Sequence, residues 1–548
     1  MLSKRRFQAT TVLILIASSL FLLWNLGGYS LINVTEARQA EIARQMWLTH
    51  DWITPSYNGE PYFDKPALLH WLIALGFTVF GPQEWVVRLP SAVNAIALLT
   101  TTWFFFSATT TRRLALFTTG ILAANPFTWA LGRIGFHDML MAFLMTLALY
   151  LWFWADQKQQ KAAYLFSFGS LALATLAKGP LALLLCLLIL PLFYLWTGNW
   201  RQRAKQVPWG WGILVFGTLA SPWYFLVIQA NGWDYIRYFF GDSNVSRFLS
   251  VNQNQWGPPY YYLLALCFFF FPWVIQLPSA IWKTVRQRWS GSTRPLDQFM
   301  VVWGLTVLIF MSLAATKLSW YLYPGLPAFA YLSARAWDQP QHRWPWATGL
   351  MAVSYAAFAI AISTGNLGDP NLLLSLEAAH LRWIWVGVFA IAAVAAVILK
   401  RQAAWVVSIG IITFGCISFT SAQWLMPVLD TQTLDRQIIP VAKTLKAINR
   451  PTEITATLGL SLPSLNFYSG LTHIERFEDA CQIPERLNQA QRLLLITTAD
   501  ALSDEKLTFS AQQMRQQSGR FCLIELSSAD QAEFKSRLKE RCVQQSNE

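Results

Sequence analysis

Long apolar runs separated by short polar connections dominate this sequence of 548 residues. An α-helix needs about 18 to 20 apolar residues to cross the hydrocarbon core of a bilayer, because each residue adds only about 1.5 Å of length. By that measure the sequence predicts about thirteen membrane-spanning helices, near residues 11–26, 85–107, 114–131, 138–155, 161–177, 180–197, 209–229, 258–282, 297–314, 319–336, 344–364, 382–400 and 403–424.

The composition supports the same class of protein. Hydrophobic residues make up 54% of the chain and charged residues 13%, whereas soluble domains carry about 25% charged residues. This balance excludes an ordinary soluble enzyme and a disordered chain. The net charge of +13 is spread over many connections rather than gathered in a basic tract, so we expect no nucleic-acid partner.

The distribution of Lys and Arg predicts the orientation of the helices. Short connections rich in basic residues are typical of the cytoplasmic side, and the first helix follows Lys4-Arg5-Arg6 without a clear signal-peptide cleavage site, so we expect it to be retained. Two longer loops, 31–84 and 230–257, fall on the opposite side. We therefore predict a cytoplasmic N-terminus. Basic residues occupy alternate connections at Arg112/Arg113, Lys158/Lys161, Arg201/Arg203/Lys205, Lys283/Arg286/Arg288/Arg294, Arg335/Arg343 and Lys400/Arg401.

The last part of the chain differs in composition from the rest. An odd number of spans places the segment 426–548 outside, after a transmembrane domain of residues 1–425. Short β-rich runs at 454–460, 493–497 and 521–526 predict strands, and 434–448, 483–491 and 528–541 are typical of helices. The sequence thus predicts a small extramembrane α/β domain behind an α-helical polytopic membrane domain.

The first outer loop contains charged residues that are candidates for function, because charges at a membrane surface are costly to keep without a role. Thr35 is a good N-cap residue, and the stretch from Asn33 to Trp47 has a weakly apolar face that predicts a helix lying in the membrane interface. A solvated amphipathic connector is the alternative. The next segment contains an Asn58-Gly59 turn signal, then Asp64 beside Lys65, and a second short amphipathic helix from Ala67 to Phe80.

These motifs carry a resemblance to a known family. The pattern TEARQAEIARQM…DWITPSYNGEPYFDKP resembles the first outer loop of bacterial family-39-type glycosyltransferases, which include the lipid A aminoarabinose transferases and the protein O-mannosyltransferases and share the GT-C fold. The resemblance extends over about residues 1–425. Further motifs in the same order are RIGFHD at 133–138, KGP at 178–180, FF…RF at 239–248, PW at 272–273 and KLSWYLYP at 317–324.

The resemblance implies transfer of a sugar from a polyprenyl-phosphate carrier to a lipid, glycan or protein acceptor, at the outer face of the cytoplasmic membrane. Such chemistry needs cations on the departing phosphate and a carboxylate for the acceptor hydroxyl. The residues that the resemblance places on the lipid phosphate are Arg38, Lys65, Arg247, Tyr62, Tyr321, Lys317 and Lys178.

The catalytic carboxylate is left open by the sequence. Many relatives carry Asp-Glu where this chain has Thr35-Glu36, and a threonine hydroxyl is no base near neutral pH. Glu36 is one candidate, and Asp138 or Asp64 is the other. Glu36 could instead serve only as a favourable charge at a helix N-terminus, and Asp138 only as a helix cap.

Asp64 also matches a position that is a metal ligand in some relatives. The histidine that accompanies it there is replaced by Asn244, which is a poor zinc ligand. Asp242 and Asn244 suit a hard cation such as Mg²⁺ or Mn²⁺ better. We therefore expect no zinc and keep a divalent cation as a possible cofactor.

A transporter or flippase of lipid-linked sugars is the alternative function. A transporter should show repeated halves with broken helices and ionisable groups near mid-membrane. The charged residues of this chain instead gather in two outer loops, and no internal repeat is visible. This distribution favours an enzyme that works at the membrane surface.

Overall fold

The computed structural model describes residues 4–198, 200–251, 255–289, 294–338, 345–366, 370–399, 402–432, 434–448, 453–483, 492–504, 509–510 and 513–527. The predicted helices 483–491 and 528–541 lie almost entirely outside these residues, as do Arg343, Lys400 and Arg401.

Helices make up most of the chain, in agreement with the predicted α-helical class. The first half contains α1 (Lys4–Leu23), α2 (Glu36–Thr49), α3 (Leu68–Phe80), α4 (Glu84–Thr109), α5 (Arg112–Ala124), α6 (Pro126–Gly132), α7 (His137–Lys158), α8 (Lys161–Lys178), α9 (Leu181–Thr197), α10 (Trp200–Gln206), α11 (Trp209–Ile236) and α12 (Arg247–Leu249). The second half contains α13 (Tyr261–Phe269), α14 (Leu277–Trp289), α15 (Pro295–Leu313), α16 (Leu326–Trp337), α17 (Pro345–Thr364), α18 (Pro370–Ala378), α19 (Arg382–Ile398), α20 (Ala403–Thr420), α21 (Met426–Gln432), α22 (Leu434–Ile448), α23 (Pro463–Ser469) and α24 (Ala499–Asp504).

The chain is a multi-pass membrane protein. Within the described residues, six helices are long and apolar enough to cross a bilayer, and the number rises to nine if each of three bent helix pairs counts as one span. The predicted count of thirteen is not confirmed by this measure. Several predicted spans are short or broken: α9 has 17 residues, and the predicted span 258–282 is bent by 117° after Phe269.

The basic connections gather at one end of the helix bundle. Residues at the end of α4, the end of α7 and the start of α15 line one polar cleft there. Ion pairs join further connections at the same end, namely Arg203 with Asp156, Arg113 with Asp338 and Arg335 with Asp297. Because α7 and α8 run antiparallel from this end, their other termini, Asp138 and Lys178, lie at the opposite end.

The C-terminal part forms a five-stranded sheet, as the predicted α/β fold requires. Its strands β3 (Ile454–Leu458), β4 (Glu475–Phe477), β5 (Arg492–Thr498), β6 (Met514–Ser518) and β7 (Phe521–Ser527) follow β1 (Ser56–Tyr57) and β2 (Glu60–Pro61) of the first loop. The order is β4-β3-β5-β7-β6, with β3 parallel to β4 and β5 and with β7 antiparallel to β5 and β6.

Both faces of this sheet are covered. Leu493 and Leu495 of β5 pack into one apolar cluster, and Leu494 and Ile496 pack into another that includes α22. Alternate residues of one strand therefore enter two cores, as the two-residue period of a strand requires. The predicted division at 425/426 stays a prediction, since a continuous helical run, Ala404–Thr431, crosses it.

Hydrogen bonds join the C-terminal domain to the first outer loop. Asn58 and Gly59 both have positive φ, of 56° and 83°, which gives the primed turn that closes β1 on β2. The Asn58 side chain donates to Ile474 O at 2.9 Å and accepts from Ile474 N at 2.7 Å. From α2, Gln45 donates to Thr472 O at 3.0 Å.

The contacts with the C-terminal domain give α2 a more buried environment than its sequence predicted. The helix begins at Glu36 as expected, but Thr35 makes no side-chain capping bond, and the polar residues Gln39, Glu41 and Arg44 are buried together with the apolar ones. The sequence pattern indicated a polar face open to water. That face is instead covered, because the C-terminal domain packs over it.

The second outer loop is largely helical. The helix continues from α11 past a break at Gly232, where φ is +69°, into a π-helical segment, Arg237–Ser246, and then α12. Ser243 and Arg247 lie four residues apart on this segment, and both reach the first loop.

Candidate functional site

The Asp64 carboxylate is the centre of a cluster that joins the two outer loops. It pairs with Arg247 Nη2 at 3.1 Å and with Lys65 Nζ at 3.3 Å. It also accepts hydrogen bonds from Ser243 Oγ at 2.7 Å and Tyr62 Oη at 3.0 Å. Every one of these partners approaches the same side chain, so Asp64 fixes the positions of two cations.

Burial and charge set the pKa values in this cluster. Burial alone would raise the pKa of Asp64, but Lys65, Arg247, Ser243 and Tyr62 together hold it well below its usual range. Burial and, to a smaller extent, the nearby charges of Arg247 and Lys178 outweigh the opposing effect of Asp64 and lower the pKa of Lys65 to about 8. Lys65 therefore loses its proton more readily than an ordinary lysine, although Asp64 faces it.

A second ion pair lies beside the Asp64 cluster. Asp138, at the start of α7, pairs through one carboxylate oxygen with Lys178, at the end of α8, and both side chains are buried. The Lys178 ammonium also lies 4.6 Å from the centre of the Tyr321 ring. The second oxygen of Asp138 is buried and has no hydrogen-bond partner among the described residues.

Arg38 extends the cluster on the side of α2. Its guanidinium lies 5.8 Å from the centre of the Tyr57 ring and hydrogen-bonds to Tyr62, whose pKa is raised by burial and by Asp64 and is lowered by Arg38. Four cations, Arg38, Lys65, Lys178 and Arg247, thus surround two carboxylates, Asp64 and Asp138. The cluster has an excess of two positive charges.

Glu36 lies outside this cluster, in an ion pair of its own. Arg88 binds it through both Nε and Nη2, each at 2.8 Å. The same carboxylate accepts from Gly135 N at 2.8 Å and Ile32 N at 3.1 Å, and both Glu36 and Arg88 are completely buried. Both oxygens of Glu36 are thus occupied by hydrogen bonds, and the role of Glu36 as catalytic carboxylate stays a prediction.

Lys317 is likewise separated from the cluster. Its ammonium donates to Ser312 O at 2.9 Å and Ala314 O at 2.7 Å, at the C-terminal end of α15. These carbonyls lack partners within the helix, so Lys317 acts as a helix cap. The sequence-based placement on the phosphate is not supported by these contacts.

Three features of the region were missed from the sequence. Arg88 is a lone charge in an apolar stretch, which is a signal for a buried partner. His137 precedes Asp138, and its ring lies 5.2 Å from that of His70; both are buried, and His70 bonds to Gln39 Oε1 at 2.8 Å. Ser243 carried no signal, since its role depends on how the second loop folds.

The described side chains around Asp64 are mainly cationic and favour an anion over a metal ion. Among the described residues no group of three or more His, Cys, Asp or Glu side chains converges, and the Asp64 carboxylate already faces Lys65 and Arg247. Asp242 is exposed. The divalent cation stays a prediction, and the chemistry below does not depend on it.

Comparison of the whole fold defines the class of protein. The chain superposes on the crystal structure of ArnT from Cupriavidus metallidurans bound to undecaprenyl phosphate with a TM-score of 0.77, over 95% of this chain and 98% of that one, at 21% sequence identity. The apo structure of the same protein gives a TM-score of 0.78. The predicted GT-C fold is thereby confirmed.

Sequence comparison gives more specific relatives. Residues 64–225 match the model of the dolichyl-phosphate-mannose-protein mannosyltransferase family. An undecaprenyl phosphate-alpha-4-amino-4-deoxy-L-arabinose arabinosyl transferase of Pseudomonas paraeruginosa is 33% identical over 339 residues, and one of Shewanella sediminis is 29% identical over 339 residues. The matched region spans about 60% of the length of these relatives. The predicted resemblance is confirmed.

The Glu36–Arg88 pair leads to a prediction about stability. Glu36→Gln leaves Arg88 buried without its counter-charge, which costs about 3–5 kcal/mol. We expect a lower melting temperature and a lower folded yield, measured by fluorescence-detected size-exclusion chromatography. Glu60→Gln, an exposed carboxylate of the same loop, is the matched control and should leave both unchanged.

A double variant, Glu36→Gln with Arg88→Met, tests whether the unpaired charge of Arg88 causes the loss of stability. Since the double variant no longer buries an unpaired charge, it should lose less stability than the two single changes added together. A Glu36→Gln protein that melts like the wild type would show that the pair does not hold the loop.

Proposed function

We propose that the chain is a membrane glycosyltransferase that moves a sugar from a polyprenyl-phosphate carrier to an acceptor hydroxyl. The observation that carries the proposal is the excess of two positive charges in the buried cluster of Arg38, Lys65, Lys178 and Arg247 around Asp64 and Asp138. The polyprenyl phosphate released by the transfer is a phosphate monoester, and its dianion would balance that charge. Tyr62 and Tyr321 line the same cluster and add a hydroxyl and an aromatic face.

The cluster supports departure of the phosphate. The bond between the anomeric carbon and the phosphate oxygen breaks as the acceptor oxygen attacks, and negative charge accumulates on the leaving phosphate. Arg247 can bind two phosphate oxygens, whereas Lys65 and Lys178 act as point charges. Because Asp64 holds Lys65 and Arg247 in place before the donor arrives, little reorganisation is required during transfer.

Asp138 is the carboxylate that best fits the role of general base. Glu36 is enclosed by Arg88, and Asp64 is saturated by its four partners. Among the described residues, Asp138 keeps one oxygen without a partner beside Lys178, and that oxygen can accept the proton of the acceptor hydroxyl as the new glycosidic bond forms. Lys178 then lies between Asp138, which accepts the proton, and the cations that bind the phosphate.

The names of the relatives suggest the donor. Proteins about 30% identical to this chain are named for transfer from an undecaprenyl phosphate-linked aminopentose, and the structure with the same fold binds undecaprenyl phosphate. We propose an undecaprenyl phosphate-linked pentose as donor, and a lipid as the acceptor to test first.

The proposed location is the cytoplasmic membrane, with the site on its outer face. The basic connections lie at one end of the bundle and the cluster lies at the other. Since basic connections favour the cytoplasmic side, the cluster and the C-terminal domain that covers the first loop would face the periplasm or exterior.

Reconstitution tests the function directly. The purified full chain in liposomes is given undecaprenyl-phosphate pentose and hexose donors together with lipid, glycan and peptide acceptors, and the released undecaprenyl phosphate and the glycosylated acceptor are quantified. Movement of the donor across the bilayer without any glycosidic product would identify a flippase instead.

The phosphate ligands give the first prediction for this assay. Lys65→Ala and Arg247→Ala should each reduce transfer by about 10² or more, because each removes a charge-assisted contact to the leaving group. Lys158→Ala, an exposed cation at the opposite end of the bundle, is the control and should keep wild-type transfer. Normal turnover in both site variants would place the phosphate elsewhere.

The assignment of Asp138 as general base gives a second prediction for the transfer assay. Asp138→Asn keeps the size of the side chain but accepts no proton, so kcat should fall by about 10² to 10⁴. Donor binding, measured by competition with undecaprenyl phosphate, should change much less. If kcat survives in Asp138→Asn, the carboxylate that accepts the proton lies elsewhere.

The pKa of Lys65 predicts a pH dependence. In the free protein this pKa is lowered to about 8, so the cationic form is present below that pH and is lost above it. The value of kcat/KM, which reports on the free enzyme, should fall as pH rises through about 8. Lys65→Arg should move that descending limb to higher pH, since a guanidinium keeps its proton; an unchanged limb would assign it to another group.

A further inference from the structure

A large apolar cleft opens on the flank of the bundle, away from the charged cluster. Its volume is about 540 Å³, within the range of about 300–1,000 Å³ typical of ligand sites. The floor is formed by α7 and α8 through Trp152, Phe168 and Leu171, and the walls belong to α9, α10 and α11. The Tyr194 hydroxyl in the lining is already bonded to Trp152 Nε1 at 2.7 Å.

The cleft opens to the outside of the helix bundle. Leu187 and Leu195 on α9 are 57% and 59% exposed, and Ile213 on α11 is 63% exposed. The helix α8 packs against both α9 and α11, so the space between those two helices is left for another occupant. Hydrocarbon is the occupant that such a lining favours, because an empty apolar space forfeits its dispersion contacts.

The short helix α10 closes one end of the cleft and supplies charge. Trp200 and Ala204, one turn apart, line the cleft, and the adjacent stripe carries Arg201 and Lys205, again one turn apart and exposed. Arg203 is paired with Asp156. Arg201 and Lys205 have no carboxylate partner among the described residues, so they are available to an external anion.

We propose that this cleft binds an anionic glycerophospholipid, with one acyl chain between α9 and α11 and its phosphate held by Arg201 and Lys205. Charge complementarity selects an anionic headgroup over a zwitterionic one, since basic residues beside the membrane attract anionic lipids. Trp200 and Trp209 flank the same end, where tryptophan prefers the level of the headgroups. This site lies at the end of the bundle opposite Asp138 and Lys178 and is independent of sugar transfer.

The binding is tested on the purified full chain in a neutral detergent. Dioleoyl phosphatidylglycerol should raise the melting temperature and appear as a bound lipid in native mass spectrometry, and dioleoyl phosphatidylcholine should do so markedly less. Arg201→Gln with Lys205→Gln should weaken phosphatidylglycerol binding roughly tenfold or more. Ala204→Trp, which fills the cleft and keeps both charges, should weaken binding of both lipids.

The control is the double variant Lys158→Gln with Arg294→Gln. It removes two cations at the same end of the bundle, from a cleft without a comparable apolar wall, and it should bind phosphatidylglycerol like the wild type. Equal affinity for the two lipids, or equal losses in control and test variants, would overturn the proposal. Displacement of phosphatidylglycerol by undecaprenyl phosphate with no effect of Arg201→Gln and Lys205→Gln would assign the cleft to the polyprenyl tail instead.

Discussion

The buried ion pair between Glu36 and Arg88 holds the outer part of the molecule together. Arg88 uses its remaining donors on Leu26 O, Tyr29 O and Ser30 O, and its guanidinium stacks 3.8 Å from the centre of the Tyr29 ring. The Arg88 side chain of α4 therefore fixes the backbone segment that follows α1. Through Glu36 and Gly135 N it also connects the start of α2 to the segment that leads into α7.

That connection sets the geometry of the charged cluster. Arg38 lies half a turn beyond Glu36 on α2, and Asp138 lies three residues beyond Gly135. A shift in the ion pair would move both relative to Lys65, whose own position depends on Asp64. A site that holds four cations near two carboxylates needs such a rigid framework, because the cations would otherwise move apart by repulsion. The cost of burying Glu36 and Arg88 is thus offset by complete hydrogen bonding of both groups.

The sequence predicted much of this site from local patterns, and failed where the partner is distant. Asp64, Lys65 and Tyr62 are neighbours in one short motif, and Arg247 lies in a second motif, so their convergence could be expected. Glu36 also belongs to a motif, but its role depends on Arg88, 52 residues away. The same holds for α2, whose polar residues Arg44 and Gln45 looked exposed because they are covered by the distant residues Leu471 and Thr472. The number of spans was uncertain for another reason: hydropathy alone does not detect bends such as that after Phe269.

The arrangement of carboxylates separates two tasks that one residue type could perform. Asp64 is surrounded by two cations and two hydroxyl donors, so its pKa is low and its charge is fixed; it can position Lys65 and Arg247 but is a poor proton acceptor. Asp138 has a single cationic partner and, among the described residues, one oxygen without a hydrogen-bond partner, which is the geometry on which its proposed role as general base rests. Since a general base must reach the acceptor while the phosphate ligands must stay in place, placing Asp64 in the first outer loop and Asp138 at the start of α7 lets each carboxylate be held by the contacts that its own task requires.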